Sequence, residues 1–234
     1  MFDFLKRRKA PLGPPPAPLS LTMREFLYGD MPPEVFPPAA ATSSDPGPGG
    51  LFAAARDALA GGRKEDALQL YRAILHFPDL ESRLAAQAWT ALRHQGIQPG
   101  PADFAVYGAI AEAGVNGGLD IVAAYADGTA RYFNYSNGSV IWEAPGTDPL
   151  ISAAIEATLD AARRVAGFAG VHDGPRPGPV LQGIVRITAI CPDGLHFGEG
   201  PLDIFQSDAV AGPFVAAALK LMEALMERSS KAEA

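Results

Sequence analysis

The chain has 234 residues, 48% of them hydrophobic, with 19 Lys and Arg against 26 Asp and Glu for a formal charge of −7. That apolar content can bury a core, and the acidic balance argues against general nucleic-acid binding, which needs clustered Lys and Arg at the phosphates. The single cysteine, Cys191, excludes an intramolecular disulfide and a cysteine-rich metal site.

Residues 1–18 read as a disordered tail. The basic run Lys6-Arg7-Arg8-Lys9 follows the first apolar residues, and "GPPPAP" favours extended polyproline backbone. This order is not that of a secretory signal. No stretch approaches the roughly 20 apolar residues that span a bilayer, so the expected compartment is the cytoplasm. Lys6, Arg7, Arg8 and Lys9 offer at most a weak contact with an anionic membrane, about 1 kcal/mol per basic residue near the surface.

Residues 19–36 form a short amphipathic segment. Ser20 is a cap candidate, Gly29 a stop, and Met23, Phe26 and Leu27 lie three and four apart on one face. Residues 37–50, "PPAAATSSDPGPGG", have a linker's composition. The segment is therefore either a tethered docking element or one that folds back on its own domain, and the second reading is favoured.

Helical periodicity begins at Leu51. Three helices are expected between 51 and 96, stopped by Gly61-Gly62, by Pro78 and by Gly96, with Asp79 as the cap candidate of the third. Ala55, Gly62, Ala67 and Tyr71 sit at the offsets of small and aromatic residues in a tetratricopeptide hairpin, and Pro78 follows one residue early. Residues 51–78, with 79–96 as the start of another repeat, thus resemble one such hairpin. The likeness implies a helical pair packed on something else, because stacking repeats need about three copies.

"IQPGP" (97–101) marks a boundary, after which the period becomes alternating. Residues 104–115 suit helix or strand, and Val106, Tyr107 and the following "NGG" favour the strand. Strands are then expected at 119–126, 129–135 and 139–143. Asp127-Gly128 and Asn137-Gly138 between them are strong signals for type I′ hairpin turns. Asp148 and Pro149 open a helix that Gly167 closes. Two more strands flank Pro192-Asp193-Gly194, residues 201–212 read as irregular, and a last helix starts at Pro213. Residues 101–229 therefore form an α+β domain, an antiparallel meander with two helices on one face. In outline it resembles profilin, roadblock and longin modules, a likeness of architecture alone. The pattern D-G-x-A-R-Y followed by I-x-W is similar to that of bacterial proteins of unknown function.

Few residues suggest chemistry. There is no Gly-Lys-Ser/Thr loop, no Gly-x-Ser-x-Gly elbow and no His-Glu-x-x-His. No cofactor and no metal site is expected, and His76, His94, His172 and His196 are scattered. Cys191 reads as a packed structural thiol. A polar aromatic row, Tyr132, Asn134 and Trp142, is a candidate interface on whichever sheet face the helices leave open. Phe26 and Leu27 are the candidates on the N-terminal segment. The expected function is a non-enzymatic adaptor or scaffold that binds another protein. The alternative is a small-ligand binder or enzyme using His196, Glu199 and Asp193 near the sheet end; by alternation, His196 and Glu199 fall on opposite faces unless a bulge intervenes.

Overall fold

The computed structural model describes residues 19–38 and 41–232; the expected tail and its basic run lie outside them. The chain is an α+β protein. Helices α1 (Leu19–Arg24), α2 (Pro48–Ala60), α3 (Lys64–Leu75) and α4 (Ser82–His94) precede strands β1 (Gly108–Val115), β2 (Gly118–Tyr125), β3 (Ala130–Phe133) and β4 (Ser139–Trp142). Helix α5 (Pro149–Phe168), strands β5 (Ile184–Cys191) and β6 (Gly194–Pro201), and helices α6 (Leu202–Ser207) and α7 (Ala211–Ala232) complete it. All strand pairs are antiparallel in one six-stranded sheet of order β4-β3-β2-β1-β5-β6. Residues 104–107 lead into β1, so the ambiguous 104–115 stretch resolves as strand over its last eight residues.

The turns explain the sheet order locally. Asn116 and Gly117, at φ +48° and +79°, make the two-residue turn between β1 and β2, the primed geometry that follows strand twist. The two hairpins expected to be of this type differ. Only Gly128 and Asn137 are left-handed there, and each turn spans three residues, closed by Gly128 N–H to Tyr125 O and Asn137 N–H to Asn134 O. A turn followed by one left-handed residue is the three-residue hairpin. The Asp-Gly and Asn-Gly signals thus mark the right places with a longer loop.

Helices α5 and α7 cover one sheet face. Ile151, Ile155 and Leu159 from α5 and Phe214, Leu221 and Leu225 from α7 share a core with Val122, Ala124, Ile187 and Ala189. Asp148 caps α5, its Oδ1 accepting from the N–H of Leu150 and Ile151 at 3.0 and 3.3 Å. Gly167 is inside the helix rather than at its end, and the stretch expected to be irregular after β6 contains α6. Asp79 does not cap α4; it lies at φ +51°, three residues before the helix.

The opposite face is covered too. Leu27 and Tyr28 pack with Ile110, Leu119, Ile121, Tyr125, Phe133 and Ile190, joined by Ala86 of α4. The segment after α1 runs close against α4: a Cβ on Gly29, which has φ +62°, would lie 2.4 Å from Arg83 O. Helices α2, α3 and α4 hold their own core around Phe52, Tyr71, Ile74 and Trp89. Trp89 Nε1 donates to Tyr107 Oη at 3.2 Å, and Ser82 and Asp127 exchange hydrogen bonds of 2.7 and 2.9 Å, tying this helical unit to the sheet. Residues 19–36 therefore fold back on the body, as the favoured reading of that segment expected.

Candidate functional site

Two polar features stand out among the described residues once the apolar cores are assigned. The first begins at Glu112, in the middle of β1 and fully buried between Ile110 and Gly114 on one face. A carboxylate there is costly unless cations meet it. Arg24 of α1 donates from Nε to Glu112 Oε1 and from Nη2 to Oε2 at 3.2 Å. Arg186 of β5 donates from Nη1 to Oε2 at 2.7 Å. The register pairs Glu112 with Arg186 directly and Arg186 with Glu199, so Arg186 Nε also donates to Glu199 Oε1 at 2.7 Å. The carbonyls of Pro177 and Gly178 accept a further hydrogen bond from Arg24 Nη2 and Arg186 Nη2 at 2.8 and 2.9 Å. Beside this network, Arg176 lies 4.4 Å from the centre of the Tyr28 ring and pairs with Asp30 and Glu25 at 2.6 and 2.9 Å. Burial first, and Glu112 next, push the Tyr28 hydroxyl well up, so it stays protonated. Burial pulls Arg176 down, but its bonds to Asp30 and Glu25 more than offset this and leave it raised. The network is a clasp for the N-terminal segment.

The second feature is an open groove of about 1190 Å³. Its walls are the residues after α1 (Glu25, Asp30, Met31, Pro32, Val35), the end of α4 (Thr90, Arg93, His94), the loop 171–176 and the β5–β6 turn (Asp193, Gly194). Arg93 donates to Pro192 O and, at 3.0 Å, to Thr90 Oγ1, so it braces the turn against α4. Burial lowers Arg93, with Asp193 opposing the shift. Val35 and Val171 are about half exposed at the rim. Behind Asp193, His196 is buried; its Nε2 lies 3.0 Å from Asp193 Oδ1 and its Nδ1 2.8 Å from Ala169 O. Cys191 is buried next to them, and burial pushes its thiol up to about 12, with Asp193 adding to the shift. A thiol held in that range is no nucleophile at neutral pH.

The residues singled out in the sequence are distributed otherwise than expected. Tyr132 and Trp142, 6% and 8% exposed, are on the face that α5 and α7 cover, not on an open one. Alternation placed them correctly on one face but could not say which face receives the helices. Asn134 organises its own hairpin: Oδ1 accepts from Ser136 N and Gly138 N at 3.0 and 2.7 Å, a local side-chain turn. Leu27 is buried against the sheet, and its carbonyl accepts from Tyr125 Oη at 2.8 Å. Phe26, half exposed, is the most exposed of these five candidates. His196 and Glu199 occupy opposite faces of β6, with no bulge in the register. Glu199 belongs to Arg186, so the acid/base pair of the alternative reading is not formed; His196 and Asp193 are brought together.

Sequence reasoning missed Glu112, Arg186, Arg24 and Arg176. One signal was present. A lone charge in each of the apolar strands "GAIAEAGV" and "IVRITAIC" announces a buried ion that must find a partner. No family model, curated protein or solved structure matches the chain. No helix among the described residues is long and apolar enough to cross a membrane.

Proposed function

We propose that this protein is a non-enzymatic adaptor that binds a segment of another protein along the groove between the N-terminal arm, α4, the 171–176 loop and the β5–β6 turn. The observation that carries the reading is the groove's character. It is wide, open and lined by side chains of both signs, with Val35 and Val171 exposed on its rim. Small-molecule sites are enclosed and mostly apolar with a few convergent polar groups, whereas a wide, open groove of mixed polarity suits a polypeptide, whose non-obligate interfaces are about as apolar as the rest of the surface. Phe26 extends this surface: it borders a smaller hollow that shares Glu25 and Met31 with the groove. The tetratricopeptide-like α2–α3 pair, in this reading, is a support that holds α4 and the arm in place.

The test is affinity capture from the native host with the full chain, comparing wild type with Val35→Asp/Val171→Asp and with Leu150→Asp on the far side. Loss of a specific partner in the groove variant, with retention in the Leu150 variant, is the expected result. Retention of every partner by a folded groove variant rejects the groove as the binding surface.

A further inference from the structure

The end of the β5–β6 hairpin brings together three side chains, of which the adaptor reading uses only Asp193, as part of the groove wall. Cys191 and His196 share a sheet face, because Cys191 pairs with Gly194 and Ala189 with His196. The tight turn then folds Asp193 back over them. The sulfur, a carboxylate oxygen and an imidazole nitrogen all lie within 4.8 Å of one another. A tetrahedral zinc ion, with bonds of about 2.0–2.3 Å, holds such atoms roughly 3.3–3.8 Å apart, so small side-chain movements suffice to close the set.

The orientation of His196 is the independent pointer. Its Nδ1 is 2.8 Å from the Ala169 carbonyl, which can only accept, so the proton is on Nδ1. That arrangement, with the far ring nitrogen donating to a backbone carbonyl, is how proteins fix a metal-binding histidine. It aims Nε2 at the Asp193 carboxylate, 3.0 Å away. An imidazole nitrogen and a carboxylate oxygen at that distance are joined through a positive centre, a proton or a metal cation that takes its place. Asp193 also lines the open groove, which provides an entry path and a side from which water can complete the coordination.

We propose that Cys191, Asp193 and His196 bind one divalent cation of the zinc class. Thiolate and carboxylate together carry two negative charges, which neutralise the ion, and sulfur with imidazole selects zinc or cobalt over magnesium or calcium. Burial keeps the Cys191 thiol protonated while the site is empty, and the ion itself deprotonates it: binding breaks the S–H bond and forms a sulfur–metal bond. That proton, and any proton on Nε2 of His196, leave to solvent; no electron is transferred. The site shares Asp193 with the wall of the proposed groove, but it is tested by metal binding to the isolated chain, so it stands or falls separately from partner capture.

The experiment uses the untagged full chain after chelator treatment, with cobalt chloride and then zinc chloride as the probes. Wild type is expected to develop a near-ultraviolet thiolate-to-cobalt charge-transfer band at one equivalent, to lose it when zinc is added, and to melt at a higher temperature with zinc. Cys191→Ala, which keeps a small apolar group in the core, is expected to lack the band and the zinc-induced shift. His196→Gln serves as a second variant and is expected to bind cobalt at least tenfold more weakly, in line with losing a ligand. A folded wild type that shows no band, or a band that persists undiminished in either folded variant, overturns the proposal.

Discussion

The two faces of the sheet are sealed by different physics. Against α5 and α7 the contact is almost wholly apolar: alanines and β-branched residues of the strands meet Ile, Leu and Phe of the helices. Against the N-terminal segment an apolar patch around Leu27 and Tyr28 surrounds a buried carboxylate held by two guanidinium groups. The first kind of contact tolerates volume-conserving change and specifies little beyond which side faces in. The second is costly to form and costlier to half-remove, because a lone buried charge keeps its desolvation penalty without its partner. It fixes where one short segment docks. α1 has only six residues and little stability of its own, so its position depends on the clasp.

That contrast can be broken in four ways, in order of expected effect. Glu112→Ala leaves Arg24 and Arg186 facing each other without the carboxylate between them, Arg186 keeping only Glu199, and should cost about 3–5 kcal/mol. Urea denaturation measures this, and hydrogen exchange should show residues 19–30 losing protection first; uniform loss across the sheet would mean the clasp is not local. Leu221→Ala, on the apolar face, should cost about 2–5 kcal/mol while leaving the protection of residues 19–30 unchanged relative to the rest. Replacing the whole clasp, as Arg24→Met/Glu112→Leu/Arg186→Met, should be neutral or stabilising by about 1–4 kcal/mol; a loss as large as that of Glu112→Ala would show that the ion network contributes net stability. Asp148→Ala removes the cap of α5 and should cost about 0.5–2 kcal/mol, read from the thermal midpoint and helical circular dichroism.

How much of this was legible depends on range. The α+β class, the antiparallel order of strands and the two covering helices follow from alternation, turn residues and helical periodicity, all of which act within a few residues. The folding back of 19–36 was readable as the favoured alternative, since Met23, Phe26 and Leu27 announce an apolar stripe, although Phe26 itself stays half exposed. The interface residues were not legible. Tyr132 and Asn134 share a face by alternation, yet one is buried in the core and the other is spent on its turn. Alternation gives two faces without saying what covers either, and here both are covered. The groove was not legible at all, because its walls come from four separate parts of the chain.

The sequence by itself determined the local geometry. Asn116-Gly117, Gly128 and Asn137 reverse the chain because they accept a left-handed backbone, and Asp148 starts its helix by accepting from the next turn's amides. Tertiary structure alone decided the charges. Glu112 finds Arg24 at a separation of 88 residues and Arg186 at 74, and Cys191, Asp193 and His196 converge only because β5 and β6 pair in one register. Steric preferences of a turn are properties of adjacent residues, whereas the environment of a buried charge is created by whichever distant strands and segments the fold sets beside it.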